Sequence, residues 1–260
     1  MRRLLWLSLA LACVLLLGYS VYRAVHLSFV HDEALSYMIV AHDADWKYTA
    51  NNHPLNTAAM AWAYRNLGDG EWPLRLGNVL AHVVYLIAGM VILRKWSPWA
   101  AILLGFGLLN LNPFLLDFFS LARGYGIASA LSLLSLCLLQ QAWDDFGTTK
   151  GRALLFFSSM VMALAVWGNF SWLNLQLAFL GVALALIIAD YLTSRVRSRR
   201  FIAFAVSFLV VNTVWCTRTP TPSCLPDRES ENRDVQVSFR SLDPLPAMHT
   251  IVLASSGGLR

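Results

Sequence analysis

Long stretches without a charged residue dominate this sequence of 260 residues. The longest covers residues 153–189, which is 37 residues without Asp, Glu, Lys or Arg. A helix of about 20 apolar residues crosses the hydrocarbon core of a bilayer and satisfies its own backbone hydrogen bonds. Charged residues make up 13% of the chain, against roughly a quarter in soluble domains. We therefore predict an all-α fold, a polytopic membrane helical bundle.

Seven segments are candidate transmembrane helices. The stretch of 37 residues is too long for one crossing at about 1.5 Å per residue, so we divide it at Gly168-Asn169, interpreted as a turn. We interpret the first segment as an uncleaved signal anchor, because no small-residue cleavage site follows it. The predicted spans are residues 4–22, 76–93, 99–116, 124–143, 153–167, 171–192 and 201–215.

The Lys and Arg residues predict the orientation. With the N-terminus inside and the spans alternating, the inside loops hold ten Lys and Arg residues, whereas the outside segments before residue 216 hold five. Positive residues accumulate on the cytoplasmic side, so we expect a cytoplasmic N-terminus and a first long loop outside. The net charge of +5 does not indicate a nucleic-acid partner, because most of the basic residues flank apolar segments.

The first outer loop, residues 28–75, is predicted to contain two helices lying at the membrane surface. Residues 33–40 are rich in helix-compatible apolar side chains. Asn56 or Thr57 is expected to cap a second helix that ends at Gly68. Both segments carry Tyr or Trp, which suits interfacial helices. We therefore assign residues 1–215, with this loop, to one membrane bundle.

The last segment, residues 216–260, differs in composition from the rest. It contains several prolines and both acidic and basic residues, and it shows no helical or strand periodicity. This pattern is typical of a disordered tail. Its abrupt start after a short predicted span also fits two other interpretations, a fragment of a longer protein or a shift of the reading frame.

Acidic residues and histidines concentrate in the first outer loop. Asp32 and Glu33 follow the first span, and five of the six histidines lie between His26 and His82. A carboxylate pair at the mouth of a helical bundle can act as a base or a metal ligand. The alternative is that these charges mark the water interface. The spacing fits no zinc signature, so Glu33 and His53 are only general candidates for a divalent cation.

Asp117 and Arg123 flank the short outer turn between the third and fourth predicted spans. The guanidinium of Arg123 could offer two parallel hydrogen bonds to a phosphate at the level of the lipid headgroups. The alternative is that both residues anchor span ends at the interface, where a charge costs much less than at the bilayer centre.

Several short motifs follow one another in an order that resembles a known family. The chain is similar to the N-terminal half of GT-C membrane glycosyltransferases, in the dolichyl-phosphate-mannose-protein mannosyltransferase-like group. The resemblance covers about residues 1–215, although Leu55 replaces a second proline and the family usually has around eleven or more spans. The motifs are HDEALSY from His31, His53-Pro54, Gly68-Asp69-Gly70, Leu74-Arg75-Leu76 and Ala122-Arg123-Gly124-Tyr125.

The resemblance implies a transferase in the bacterial inner membrane with a polyprenyl-phosphate-linked sugar as donor. It implies that Asp32 is the general base toward an acceptor hydroxyl, and that Glu33 orients the acceptor or holds a divalent cation. Arg123, with Tyr125 beside it, is implied to bind the donor phosphate. His53 is implied to hydrogen-bond the donor or to ligate the metal.

Two other functional classes remain open from the sequence. One is a non-enzymatic polytopic protein, such as a transporter or an assembly subunit. Transporters tend to carry ionisable residues in mid-membrane and internal repeats, whereas the acidic and histidine residues here gather in an outer loop. The other is a truncated and inactive transferase, since the family resemblance covers only half of a typical member.

Overall fold

The computed structural model describes residues 2–42, 53–96 and 98–193, together with residues 208, 210 and 212. These residues are helical apart from short connections, and no strand occurs among them. The tail predicted for residues 216–260, and most of the seventh predicted span, lie outside the described residues. The helices are α1 Arg2–His26, α2 His31–His42, α3 Pro54–Leu67, α4 Glu71–Leu93, α5 Trp99–Asn110, α6 Pro113–Ser120, α7 Gly124–Asp144, α8 Thr149–Gly168 and α9 Leu173–Thr193, the last preceded by a 3-10 turn at Phe170–Trp172.

Five helical segments in the described part are long and apolar enough to cross a membrane, namely α1, α4, α7, α8 and α9 with its preceding turn. A sixth span results if α5 and α6 are counted together. This arrangement confirms a polytopic membrane bundle, with multiple apolar helices in a lipid environment.

The predicted third span, residues 99–116, is bent. Helices α5 and α6 meet at an angle of 52°. Pro113 lacks the backbone N–H that a continuing helix would use. The Asn112 side chain accepts a hydrogen bond from the N–H of Phe114 at 3.0 Å, so it caps α6. The straight span predicted here is therefore replaced by two helices that meet at a bend.

The two helices predicted in the first outer loop are present as α2 and α3. Helix α3 begins at Pro54, with His53 at its N-cap position, so the expected cap at Asn56 or Thr57 is wrong. Proline is favoured in the first turn because its missing N–H has no partner there in any helix. Asn56 lies inside α3 and is buried. The predicted end at Gly68 is confirmed, where a φ of 94° closes the helix.

Helix α7 lies at the centre of the described bundle, between α4 and α8. Its inward face carries small residues that let neighbouring backbones approach closely. The hydroxyl of Ser135 on α7 donates to the carbonyl of Ser158 on α8 at 2.7 Å, and Ser158 returns a 2.6 Å bond to the carbonyl of Ser135. These bonds satisfy both hydroxyls in the apolar interior, which stabilises the α7–α8 contact.

Ion pairs mark the two ends of the bundle. At one end Lys95 contacts Asp144, which joins the end of α4 to the end of α7. At the other end Arg23 on α1 pairs with Asp117 on α6 at 2.8 Å. The candidate site lies at this second end.

Candidate functional site

A cleft of about 290 Å³ opens at the end of the bundle where α1 finishes and α7 begins. Five parts of the chain form it: the start of α2, the segment before α3, residues 122–123, the first turn of α7, and residues 169–171. Four of the residues predicted from the sequence line this cleft together, Asp32, His53, Arg123 and Tyr125. The fifth, Glu33, lies directly beside it.

Asp32 and Arg123 form an ion pair at the cleft, through Oδ2 and Nη2. Both side chains remain partly exposed, 48% for Asp32 and 28% for Arg123, so a soluble group can reach either of them. The Arg123 guanidinium also lies 5.6 Å from the ring centre of Tyr125, a cation–π distance. The cleft therefore presents a carboxylate and a cation side by side.

Tyr125 is held among other aromatic rings. It stacks on Phe118 with ring centres 4.7 Å apart. The His53 ring meets it edge-on at 5.4 Å, and Trp172 does so at 6.3 Å. These contacts fix the Tyr125 ring as a wall of the cleft, next to Arg123.

His53 sits largely buried at the base of the cleft. Burial lowers the pKa of its imidazole from the ordinary value of 6.5, because a charged ring is poorly solvated there. Its Nδ1 atom has no hydrogen-bond partner among the described residues. A neutral imidazole with a free nitrogen can donate or accept one hydrogen bond, depending on its tautomer.

Glu33 is fully buried, and its carboxylate accepts four hydrogen bonds from three residues. Arg75 donates from Nε to Oε1 at 2.9 Å and from Nη2 to Oε2 at 2.8 Å. The N–H groups of Val30 and Ala122 donate to Oε2 and Oε1, at 3.1 and 2.5 Å. Two oxygens accept about four hydrogen bonds, so none remains for a substrate or a metal. The geometry gives Glu33 a structural role, in place of the catalytic or metal-binding role expected from the sequence.

The peptide of Ala122, just before Arg123, is held on both sides by buried side chains. Its N–H donates to Glu33, and its carbonyl accepts a bond from Nδ2 of Asn56 at 2.8 Å. Nδ2 of Asn78 in turn donates to Oδ1 of Asn56 at 2.8 Å. This network places the Arg123 backbone against the start of α2, where Asp32 lies.

Close backbone contact completes the cleft at Gly124. A Cβ atom at this position would lie 1.8 Å from the carbonyl oxygen of Gly168 and 2.6 Å from Cβ of His53. Only glycine fits at such a distance. The first turn of α7 therefore contacts both the end of α8 and the base of the cleft.

Asn169 is a polar cleft residue that the sequence does not identify, since Gly168-Asn169 is interpreted there as a turn. It is 2% exposed, and its Oδ1 accepts a hydrogen bond from the N–H of Ser171 at 2.9 Å. Its Nδ2 has no partner among the described residues. The feature of the sequence that could have identified Asn169 is an amide side chain within a long uncharged stretch. Polar side chains buried in membrane segments are often functional.

The predicted divalent cation finds no ligand set in the described part of the chain. No group of three or more His, Cys, Asp or Glu side chains there could hold a metal ion. Of the described residues that line the cleft, Asp32 is the only carboxylate and His53 the only imidazole. The described side chains of the cleft therefore do not by themselves fit a metal centre.

Comparison with known proteins adds no identification. No protein-family model, no curated protein and no solved structure matches this chain. What can be said of its function therefore comes from the geometry of the cleft and from the motifs that form it.

Proposed function

We propose that this protein is a glycosyltransferase of the GT-C type, which moves a sugar from a polyprenyl-phosphate donor to an acceptor hydroxyl. The observation that carries the proposal is the Asp32–Arg123 pair in an open cleft at the end of a membrane bundle. His53 and Tyr125, from two other motifs of the resemblance, lie in the same cleft. A base and a phosphate-binding cation are the two groups that such a reaction requires.

The choice of donor follows from the predicted orientation. The cleft is at the end of α1 opposite Arg2. The distribution of Lys and Arg favours a position outside the cytoplasm for this end of the bundle. Nucleotide sugars are not normally present outside a cytoplasmic membrane, so the donor sugar has to cross the membrane on a lipid. We place the protein in the bacterial inner membrane, with an acceptor at its outer face.

The reaction uses the two charges in turn. The donor phosphate is an anion and competes with Asp32 for the Arg123 guanidinium. The released Asp32 carboxylate takes the proton of the acceptor hydroxyl, whose oxygen attacks the anomeric carbon from the opposite side. The bond from that carbon to the phosphate oxygen breaks, and polyprenyl phosphate leaves with the electron pair. Arg123 stabilises the charge that develops on the phosphate.

His53 and Asn169 supply further hydrogen bonds in this scheme. Three buried polar atoms at the cleft have no hydrogen-bond partner among the described residues. They are Nδ1 of His53, Nδ2 of Asn169 and Nε of Arg123. A donor phosphate or a sugar hydroxyl would satisfy them. An unpaired buried polar atom costs about 1–3 kcal/mol, so binding would recover this free energy.

The test is transfer from a radiolabelled polyprenyl-phosphate sugar by the full chain in membranes. General base catalysis contributes about 10²–10⁴-fold, so Asp32→Asn should lower turnover by about 100-fold or more. Asp117→Asn is the matched control, because Asp117 also pairs with an arginine and is 40% exposed. Wild-type turnover in Asp32→Asn, or equal losses in the two variants, would contradict the assignment.

The alternative is a transporter, and His82 favours it. This histidine lies within helix α4, one of the candidate membrane spans. It is 1% exposed and stacks on Phe119 with ring centres 4.4 Å apart. Ionisable side chains inside membrane spans often belong to transport pathways. Solute uptake into vesicles that is lost in His82→Phe and kept in Asp32→Asn would support transport over glycosyl transfer.

A further inference from the structure

A second cavity, of about 580 Å³, lies at the opposite end of the bundle from the cleft. It runs between the first two turns of α1 and the start of α5. Leu4, Leu5 and Trp99 are among the apolar residues that line it, and Arg2 and Ser8 provide polar atoms. We call this cavity the α1–α5 groove.

Arg2, the arginine that lines this groove, has no acidic partner among the described residues. At the same end of the bundle, three other basic residues of the described chain pair with carboxylates. These pairs are Lys95 with Asp144, Lys150 with Asp145, and Arg152 with Asp190. Arg2, Arg3 and Arg94 form no ion pair within the described part of the chain and are exposed. Within the described part of the chain, the positive charge that Arg2 brings to the groove is therefore not balanced by a carboxylate.

The described helices leave the groove open toward the lipid. Helix α1 is the least buried of the candidate spans, with 11% of its apolar window inside the protein. Phe208, from the later part of the chain, is buried against a different surface that includes Met162 and Ala183. Trp96 and Trp99 flank the groove and are 41% and 60% exposed, as expected for residues at the level of the headgroups.

We propose that the α1–α5 groove binds an anionic glycerophospholipid. Its acyl chain lies along Leu4, Leu5 and Trp99, and its phosphate pairs with Arg2. The acyl chain gives little preference, because bilayer tails are as apolar as leucine side chains. The headgroup therefore determines which lipid is preferred. A zwitterionic lipid carries an ammonium group, which the positive charge of the unpaired arginine repels. Basic pockets between membrane helices recognise anionic headgroups in this way. The proposal is independent of the glycosyltransferase assignment.

The experiment is native mass spectrometry of the full chain, purified in detergent and mixed with equal amounts of phosphatidylglycerol and phosphatidylcholine that share the same acyl chains. We expect phosphatidylglycerol to be retained several-fold more than phosphatidylcholine. Arg2→Gln should lower that preference by roughly fivefold, the effect of one basic residue near an anionic surface. Arg65→Gln is the matched control, because Arg65 is exposed on α3, in the first outer loop.

A second variant tests the groove itself. Ser8→Phe fills it with a large side chain and should remove the retained phosphatidylglycerol, while circular dichroism confirms that the helices remain. Equal retention of the two lipids would overturn the proposal, as would equal effects of Arg2→Gln and Arg65→Gln. Phosphatidylglycerol retained by Ser8→Phe would overturn it too. A lipid-free dimer would assign the groove to a second copy of the chain instead.

Discussion

The Glu33 carboxylate and the Arg75 guanidinium form a two-pronged ion pair in which both side chains are fully buried. Arg75 also donates to the carbonyls of Ala24, Leu27 and Ser28, at 2.9, 2.5 and 3.2 Å. All five guanidinium hydrogens therefore have acceptors. The pair joins the end of α1, the start of α2 and the start of α4, beneath the cleft.

Breaking this pair should destabilise the protein strongly. Glu33→Ala leaves the Arg75 charge buried without a counter-charge, which costs about 3–5 kcal/mol in comparable pairs. The thermal unfolding midpoint in detergent should fall accordingly. Asp144→Ala breaks the exposed pair with Lys95, where a surface ion pair contributes about 0–1 kcal/mol. Similar shifts in the two variants would contradict a structural role for Glu33.

Gly124 should not tolerate even a methyl group. In Gly124→Ala the new Cβ would clash with the carbonyl of Gly168 and with His53, so the start of α7 has to move away from α8. Overpacking of this kind costs about 1–3 kcal/mol, and we expect a lower unfolding midpoint together with loss of transfer activity. Gly181→Ala on α9 is the control, since no neighbouring atom of the described chain lies within 4 Å of the position that its new methyl would occupy. An equally stable Gly124→Ala variant would show that the contact is looser than described.

Asn169 should affect activity beyond its effect on stability. Asn169→Ala removes a cap on the 3-10 turn, and Asn112→Ala removes the similar cap on α6. Losing such a cap costs about 0.5–2 kcal/mol, so both variants should unfold at slightly lower temperature. Only Asn169→Ala should also reduce sugar transfer, because only Asn169 lines the cleft. Equal transfer rates in both variants would remove Asn169 from the site.

The buried His53 should make the protein less stable in mild acid. Its pKa is lowered in the folded state, so between that value and 6.5 the unfolded chain binds more protons than the native one. The free energy of unfolding therefore rises with pH across this window, and it falls as the pH drops below 6.5. When unfolding is followed from pH 5 to 7, His53→Gln should make the dependence of the unfolding free energy on pH less steep. His31→Gln is the control, because His31 is exposed at the start of α2. A slope unchanged by His53→Gln would assign the acid sensitivity to other groups.

Most of the membrane architecture follows from the order of residues alone. Five predicted spans, at residues 4–22, 76–93, 124–143, 153–167 and 171–192, correspond to α1, α4, α7, α8 and α9. The sequence also predicts the two helices of the first outer loop, α2 and α3. These features depend on local composition, because an apolar segment in a bilayer has to satisfy its backbone hydrogen bonds within itself.

The roles of single residues in the cleft depend on partners far away in the chain. Asp32 and Glu33 are adjacent in sequence, and the sequence pattern alone does not distinguish the roles of the two carboxylates. On a helix, neighbouring side chains point about 100° apart, so one faces the cleft and the other faces Arg75, 42 positions further on. Composition and spacing determined the helices and their membrane setting. Only the tertiary structure decided which carboxylate is buried as a structural ion pair and which stays partly exposed in the cleft.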